Sequence, residues 1–92
     1  MNSAQLKTAL KDYYILAVKE YDHGAGITLA FDQQRLTDND VDYEDFLNAV
    51  ISATGGTISN LCKAEKEIWN YDCPEDKITG DIWNVIIIDL KL

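Results

Sequence analysis

The sequence predicts an α+β domain in which a small antiparallel sheet, formed by a β-hairpin and a C-terminal strand, packs against about three helices. Two patterns predict this class: apolar residues recur at helical spacing in some segments and alternate with polar residues in others. Clusters of glycine and polar residues separate these segments. The predicted order is α-β-β-α-α-β. The chain has 92 residues, is 47% hydrophobic and contains a single proline, and no repeat or linker divides it, so we predict one domain over residues 1–92.

The first helix is predicted near the N-terminus. Apolar residues between Leu6 and Tyr13 recur at positions that share one helical face, and Asn2 or Ser3 supplies a cap. An alternative continues this helix to about Tyr21, with Gly24 as its C-terminal stop.

A β-hairpin is preferred over that alternative. Residues 13–18 are apolar on all sides and rich in aromatic and β-branched residues, which favours a buried strand. Residues 22–26 have turn composition, and Ile27 to Asp32 alternates large apolar residues with smaller or polar ones. This alternation predicts the second strand of the hairpin.

The middle of the chain predicts a polar loop followed by a helix. Residues 33–40 are mostly polar, whereas the apolar residues between Tyr43 and Thr54 follow one helical face that Gly55-Gly56 ends. Acids from Asp40 to Asp45 fall in or just before the first turn, where they complement the positive end of the helix dipole.

A third helix is predicted from Ile58 to about Tyr71. Thr57 or Ser59 serves as its cap, Lys63 and Glu67 form an i, i+4 pair, and Cys73-Pro74 stops it.

The last element is predicted to be a strand over residues 82–92. Ile86, Ile88, Leu90 and Leu92 share one face of this strand. We expect that a strand in this position could leave one edge of the sheet open for pairing with a second chain.

The charge distribution points to a basic protein partner. Sixteen acids against eight bases give a net charge of −8, and residues 36–62 hold five acids with no lysine or arginine. Direct binding to nucleic acid or anionic lipid rests on Lys and Arg, so this balance argues against both. An acidic surface is typical of a protein that contacts a basic protein surface.

Exposed tyrosines beside acids extend this prediction. Tyr and Trp are enriched at interfaces because they bury large areas while keeping a polar tip. We expect Tyr13, Trp69 and Trp83 in the core, and Tyr43 and Tyr71 at the surface. The predicted partner-binding residues are Asp38, Asp40, Asp42, Tyr43, Glu44, Asp45, Tyr71, Asp72, Glu75 and Asp76.

The acidic run contains part of a calcium-loop pattern. Asp38, Asp40 and Asp42 occupy its first, third and fifth positions, but Tyr43 replaces the glycine and Ala49 the glutamate that the loop requires. We therefore predict no metal site.

Catalytic and cofactor motifs also fall short of what their chemistry requires. His23, Cys62 and Cys73 are too few for a structural zinc site, and Cys62 is expected on the core face of the third helix. Gly55–Asn60 lacks the lysine and spacing of a phosphate loop. We predict no catalytic residue and no cofactor, and hence no enzyme.

The longest apolar run, Tyr13 to Val18, has six residues, and Val85 to Ile88 has four, both far fewer than the ~20 that span a bilayer. The N-terminus lacks signal-peptide character, so we predict a cytoplasmic protein with reduced cysteines and no membrane contact.

Together these features predict a small acidic inhibitor that occupies a basic, nucleic-acid-binding surface on a partner protein. Its carboxylates would take the places of phosphates. Size and acidity match the profile of phage-type anti-CRISPR, anti-restriction and nuclease inhibitors. The alternatives are an adaptor or subunit of a larger assembly, and an immunity protein for a nuclease toxin.

Overall fold

A computed structural model describes residues 3–20, 26–72, 78 and 80–92. These residues form helices α1 (Ser3–Ala9), α2 (Gln33–Asp38), α3 (Tyr43–Thr54) and α4 (Lys66–Asp72), a 3₁₀ turn (Lys11–Tyr13), and strands β1 (Ile15–Glu20), β2 (Gly26–Asp32), β3 (Thr57–Glu65) and β4 (Asn84–Lys91).

The four strands form one antiparallel sheet in the order β1-β2-β4-β3. The predicted α+β class is therefore confirmed. The hairpin is confirmed as the pairing of β1 with β2, and the alternative of a first helix reaching Tyr21 is wrong, because β1 occupies that part of the chain. The predicted turn over residues 22–26 lies outside the described residues, except for Gly26, the first residue of β2.

The main core lies between one face of the sheet and helices α1, α2 and α3. The alternation predicted for the last segment is confirmed within β4, since Val85 belongs to a second cluster with Trp69 and Ile78 on the opposite face. The buried residues of the main core are Leu6, Leu10, Val18, Ile27, Leu29, Phe31, Leu36, Phe46, Val50, Ile86, Ile88 and Leu90.

The predicted helix from Ile58 to Tyr71 is wrong over its first part, which is strand β3. A β-bulge between Ile58 and Asn60 adds one residue to this strand. Ile58 and Leu61 consequently reach the same core although they are three positions apart, a spacing that also fits a helix. Thr57 and Ser59 therefore lie in a strand and cap no helix, and Lys63 does not share a helix with Glu67.

The predicted polar loop over residues 33–40 is also wrong, because most of it is helix α2. The side chain of Asp32 accepts a hydrogen bond from the backbone N–H of Arg35 at 3.1 Å and so caps this helix. Leu36 is buried in the main core, and this single apolar contact anchors an otherwise polar helix.

The C-terminal strand does not form an edge of the sheet. β4 pairs with β2 on one side and with β3 on the other, so β1 and β3 are the edge strands of the described sheet. Within the described ranges, no helix combines the length and apolar character needed to cross a bilayer.

Candidate protein-binding site

Six of the predicted binding residues are exposed and lie close together along the chain, and we call them the acidic surface. It runs from the end of α2 to the first turn of α3. Its residues, all exposed, are Asp38, Asp40, Asp42, Tyr43, Glu44 and Asp45.

A hydrogen-bonded turn holds the first half of the acidic surface in place. Asn39 ends α2 by donating from its side-chain amide to the carbonyl of Arg35 at 2.8 Å. Asp40 takes a left-handed backbone conformation with φ 52°, which aspartate tolerates better than most residues. The backbone N–H of Val41 donates to the carbonyl of Leu36 at 3.1 Å, and Val41 packs against the main core. The carboxylates are therefore presented on a backbone that is already ordered.

The second half of the acidic surface is the beginning of α3. The side chain of Asp42 accepts from the backbone N–H of Asp45 at 2.9 Å and caps the helix. Glu44 and Asp45 lie in the first turn, where the helix dipole stabilises negative charge. The local fold therefore favours the same negative charge that a basic partner would contact.

Among the described residues, no lysine, arginine or histidine lies within ion-pair distance of a carboxylate of this surface. Asp38 accepts a hydrogen bond from Gln34 at 3.3 Å, which is neutral. Arg35 lies 3.9 Å from the carboxylate of Asp32 and stacks 5.7 Å from the ring centre of Tyr14. The single arginine of the sequence is thus engaged by residues outside the acidic surface.

An open groove of about 410 Å³ adjoins the acidic surface. Its floor is apolar and includes Leu36, Phe46 and Ile86, which also belong to the main core. Its rim is polar and includes Asp40, Tyr43, Gln33, Thr37 and Lys63. Residues of opposite charge thus border an apolar recess, an arrangement typical of sites that take a side chain with an apolar body.

Tyr43 links the groove to the acidic surface. Its ring lies 6.2 Å from that of Phe46, which is only 1% exposed, whereas Tyr43 is 50% exposed. The predicted exposure of Tyr43 is confirmed. An aromatic ring supported by a buried neighbour is a suitable anchor for a partner.

The structure does not bring Tyr71 together with the acidic surface. Tyr71 is 87% exposed, as predicted, but it lies on α4, whose Trp69 packs on the opposite face of the sheet from α2 and α3. The side chains of Asp72, Glu75 and Asp76 lie outside the described residues.

Two burial predictions, those for Trp83 and Cys62, are wrong. Trp83 is 62% exposed and not in the core, because it precedes the first residue of β4 and so lies beyond the packed strand. Cys62 is an exposed free thiol, because it lies on the edge strand β3 and not on a helix. Trp69 is 2% exposed, and Tyr13 packs against the main core at 6.0 Å from Phe46, both as predicted.

The described ranges contain no group of three or more His, Cys, Asp or Glu side chains placed to hold a metal ion, the acidic surface included. His23 and Cys73 lie outside these ranges. The sequence reasoning missed the groove and the part that Lys63 plays in it. Lys63 lies beside α2 and α3 because it belongs to strand β3. The predicted helix over this segment did not indicate that position.

Comparison of the chain with protein-family models, with curated proteins and with solved structures gives no match.

Proposed function

We propose that this protein acts by binding, through its acidic surface, a basic protein whose basic surface serves to bind nucleic acid. The protein would work in the cytoplasm, as a binding protein and not as an enzyme. Carboxylates on the ordered turn and on the first turn of α3 would take positions that phosphates occupy in the nucleic-acid complex. Occupation of that surface would exclude the nucleic acid.

The observation that carries the proposal is the run of five exposed carboxylates without an ion pair among the described residues. An unneutralised run on an ordered backbone produces a strong local field, and such fields raise association rates with oppositely charged partners by about 10- to 1,000-fold. The apolar groove beside the carboxylates offers a partner apolar contact area in addition to the attraction between charges.

This combination supports an inhibitor of the phage type, directed against a nuclease, a restriction system or a CRISPR complex. An immunity protein for a nuclease toxin would use the same chemistry against a different basic enzyme. Both forms of the proposal expect competition between this protein and nucleic acid for one surface of the partner.

Two matched variants test the proposal. The surface variant replaces Asp38, Asp40 and Asp45 with Asn and Glu44 with Gln, and it keeps Asp42 as the helix cap. The control variant neutralises four exposed acids elsewhere, Asp12, Glu20, Glu67 and Asp81. Each variant removes four negative charges from a net −8 and so carries −4. Loss of two first-turn acids costs about 0.6–2 kcal/mol, which a typical domain survives.

The partner is first captured with the unaltered chain from source-cell lysate treated with nuclease, at low and high salt, and identified by mass spectrometry. Association rates are then measured with the purified partner. We expect the surface variant to associate at least tenfold more slowly, with weaker salt dependence, and to compete poorly with nucleic acid. We expect the control variant to stay close to the unaltered chain. Equal rates for both variants, or a captured partner indifferent to salt, would refute the proposal and favour an adaptor or assembly subunit.

A further inference from the structure

The outer edge of β3 adjoins both the groove and the acidic surface. We propose that residues Leu61–Glu65 of this edge pair with an extended basic segment of the partner protein, which adds a fifth strand to the sheet and places one side chain in the groove. This inference rests on the proposed function, because it takes the basic character of the partner from the acidic surface.

The hydrogen-bond pattern shows which backbone groups of β3 are free to pair. Glu65 lies opposite Asn84 in the register, so the next position pairs Lys66 with Trp83, and the backbone N–H of Lys66 donates to the carbonyl of Trp83 at 2.9 Å. Hydrogen-bonded positions alternate along an antiparallel pair. Ala64 and Cys62 therefore bond to β4, whereas the N–H and C=O groups of Leu61, Lys63 and Glu65 point away from β4, toward the open edge.

This part of β3 is regular and accessible. The bulge lies at the other end of the strand, between Ile58 and Asn60, so the alternation holds without interruption from Leu61 to Glu65. Lys63 and Glu65 are exposed, and Leu61 is half-buried against the main core. An edge of this kind offers unpaired donors and acceptors to an incoming strand.

The groove lies next to this edge. Lys63 is opposite Ile86 in the register, and both residues line the groove together with Leu36 and Phe46 from α2 and α3. Side chains of a strand point alternately to the two faces of a sheet. A segment added beside Lys63 therefore directs every second side chain toward the helices, where the apolar floor of the groove can receive one of them.

The negative charge near the outer edge of β3 favours a basic segment as the one that binds there. Asp40 lies on the rim of the groove, and the remaining carboxylates of the acidic surface continue from it. Lys63 is the one cation among the described residues that line the groove, so a segment with several lysines or arginines meets a net negative environment. A second copy of this chain would bring another net charge of −8 to the same edge, which opposes self-pairing.

The test uses the isotopically labelled full chain and a synthetic peptide with blocked ends, Lys-Thr-Lys-Thr-Leu-Thr-Lys-Thr-Lys, whose leucine and lysines share one face of an extended strand. A matched control peptide has the same sequence with N-methyl groups on alternate backbone amides, which removes its donors along one edge. Binding is followed by amide NMR and hydrogen exchange. We expect the first peptide to bind at millimolar concentration or below, to slow exchange at Leu61, Lys63 and Glu65, and to lose about tenfold in affinity on methylation.

Two protein variants test the same edge from the other side. Lys63→Pro removes an N–H that points away from β4, so it should leave the sheet intact, as proline does at the open side of edge strands. Lys63→Thr removes the same side chain and keeps the N–H. We expect Lys63→Thr to bind the peptide and Lys63→Pro to bind about tenfold less tightly. Ala64→Pro should lower the melting temperature far more than Lys63→Pro, because Ala64 bonds to β4.

The outcomes separate this inference from the proposed function. If the peptide binds the Lys63→Pro variant as tightly as the Lys63→Thr variant, or if exchange slows elsewhere only, pairing at the edge is wrong and the acidic surface can still be the contact. If binding occurs at the edge but is unchanged in the surface variant, the acidic surface does not select the occupant and the proposed function fails. If Lys63→Pro does not fold, the methylated peptide and the exchange data decide. Absence of binding at millimolar peptide overturns the inference.

Discussion

Substitution of Gly56 by alanine should strongly destabilise the protein. Gly56 precedes β3 and lies against the end of β4. A Cβ atom at this position would lie 2.6 Å from the backbone carbonyl oxygen of Lys91 and 3.0 Å from the side chain of Leu92. The first of these contacts is closer than carbon and oxygen atoms tolerate. It involves a backbone atom, which cannot rotate out of the way as a side chain can.

The expected cost follows from where Lys91 lies. This residue pairs with Gly26 of β2 and with Thr57 of β3, so its backbone cannot shift away from Gly56 without disturbing the pairing of β4. Overpacking typically costs about 1–3 kcal/mol, and a constrained backbone contact belongs in the upper half of this range. We expect a loss of about 2–3 kcal/mol, which corresponds to a fall in Tm of roughly 8–24 °C for a domain of this size.

Urea unfolding and thermal melts followed by circular dichroism measure this loss. Gly55→Ala is the matched control, because a Cβ there meets nothing within 4 Å but must adopt φ +69°. The left-handed conformation costs about 1–2 kcal/mol, and the stiffer unfolded chain returns about 0.4–1 kcal/mol. The net cost at Gly55 should therefore be smaller than at Gly56. An ordinary surface substitution changes the free energy of unfolding by about 0.5 kcal/mol or less. A Gly56→Ala protein whose stability lies within that range of the unaltered chain would refute the steric reasoning.

Two further predictions concern the capped helix and the tryptophans. Asp42→Ala should cost about 1 kcal/mol in urea unfolding because α3 loses its cap, whereas Asp42→Asn should cost only a few tenths; equal losses would contradict the capping role. In acrylamide quenching of the native protein, Trp83→Phe should leave a blue-shifted, poorly quenched emission, because the remaining Trp69 is 2% exposed. Trp69→Phe should leave a red-shifted emission that is readily quenched, and the reverse pattern would contradict the assigned burial.

The predictable parts of the fold were those in which one periodicity held without interruption. α3 keeps helical spacing from Tyr43 to Thr54 and ends at Gly55, and β4 alternates throughout. The bulge in β3 broke this regularity, because one inserted residue turned a two-residue spacing into a three-residue spacing. Local spacing cannot distinguish a bulged strand from a helix, since the distinction depends on β4, which is distant in the sequence.

The candidate site was also predictable only in part. The exposure of Asp38 to Asp45 was predictable, since charged residues at a helix start require only water and the helix dipole. The groove was not predictable, because it requires Lys63 of β3 to lie beside Leu36 of α2 and Phe46 of α3. No spacing within any one segment encodes that neighbourhood.

The central position of β4 also determines how quickly the sheet can form. β1 and β2 meet through a local hairpin, but β2 and β3 are joined only when β4 enters between them. The contact between Thr28 and Asp89 closes a loop of 61 positions. The chain loses the conformational entropy of this loop before the strand pairing can stabilise the sheet. Folding dominated by such distant pairings takes milliseconds to seconds, in contrast to the microseconds of helical bundles. Until β4 enters, β2 has one unpaired edge and β3 has two, and this interval is when the chain is most exposed to aggregation.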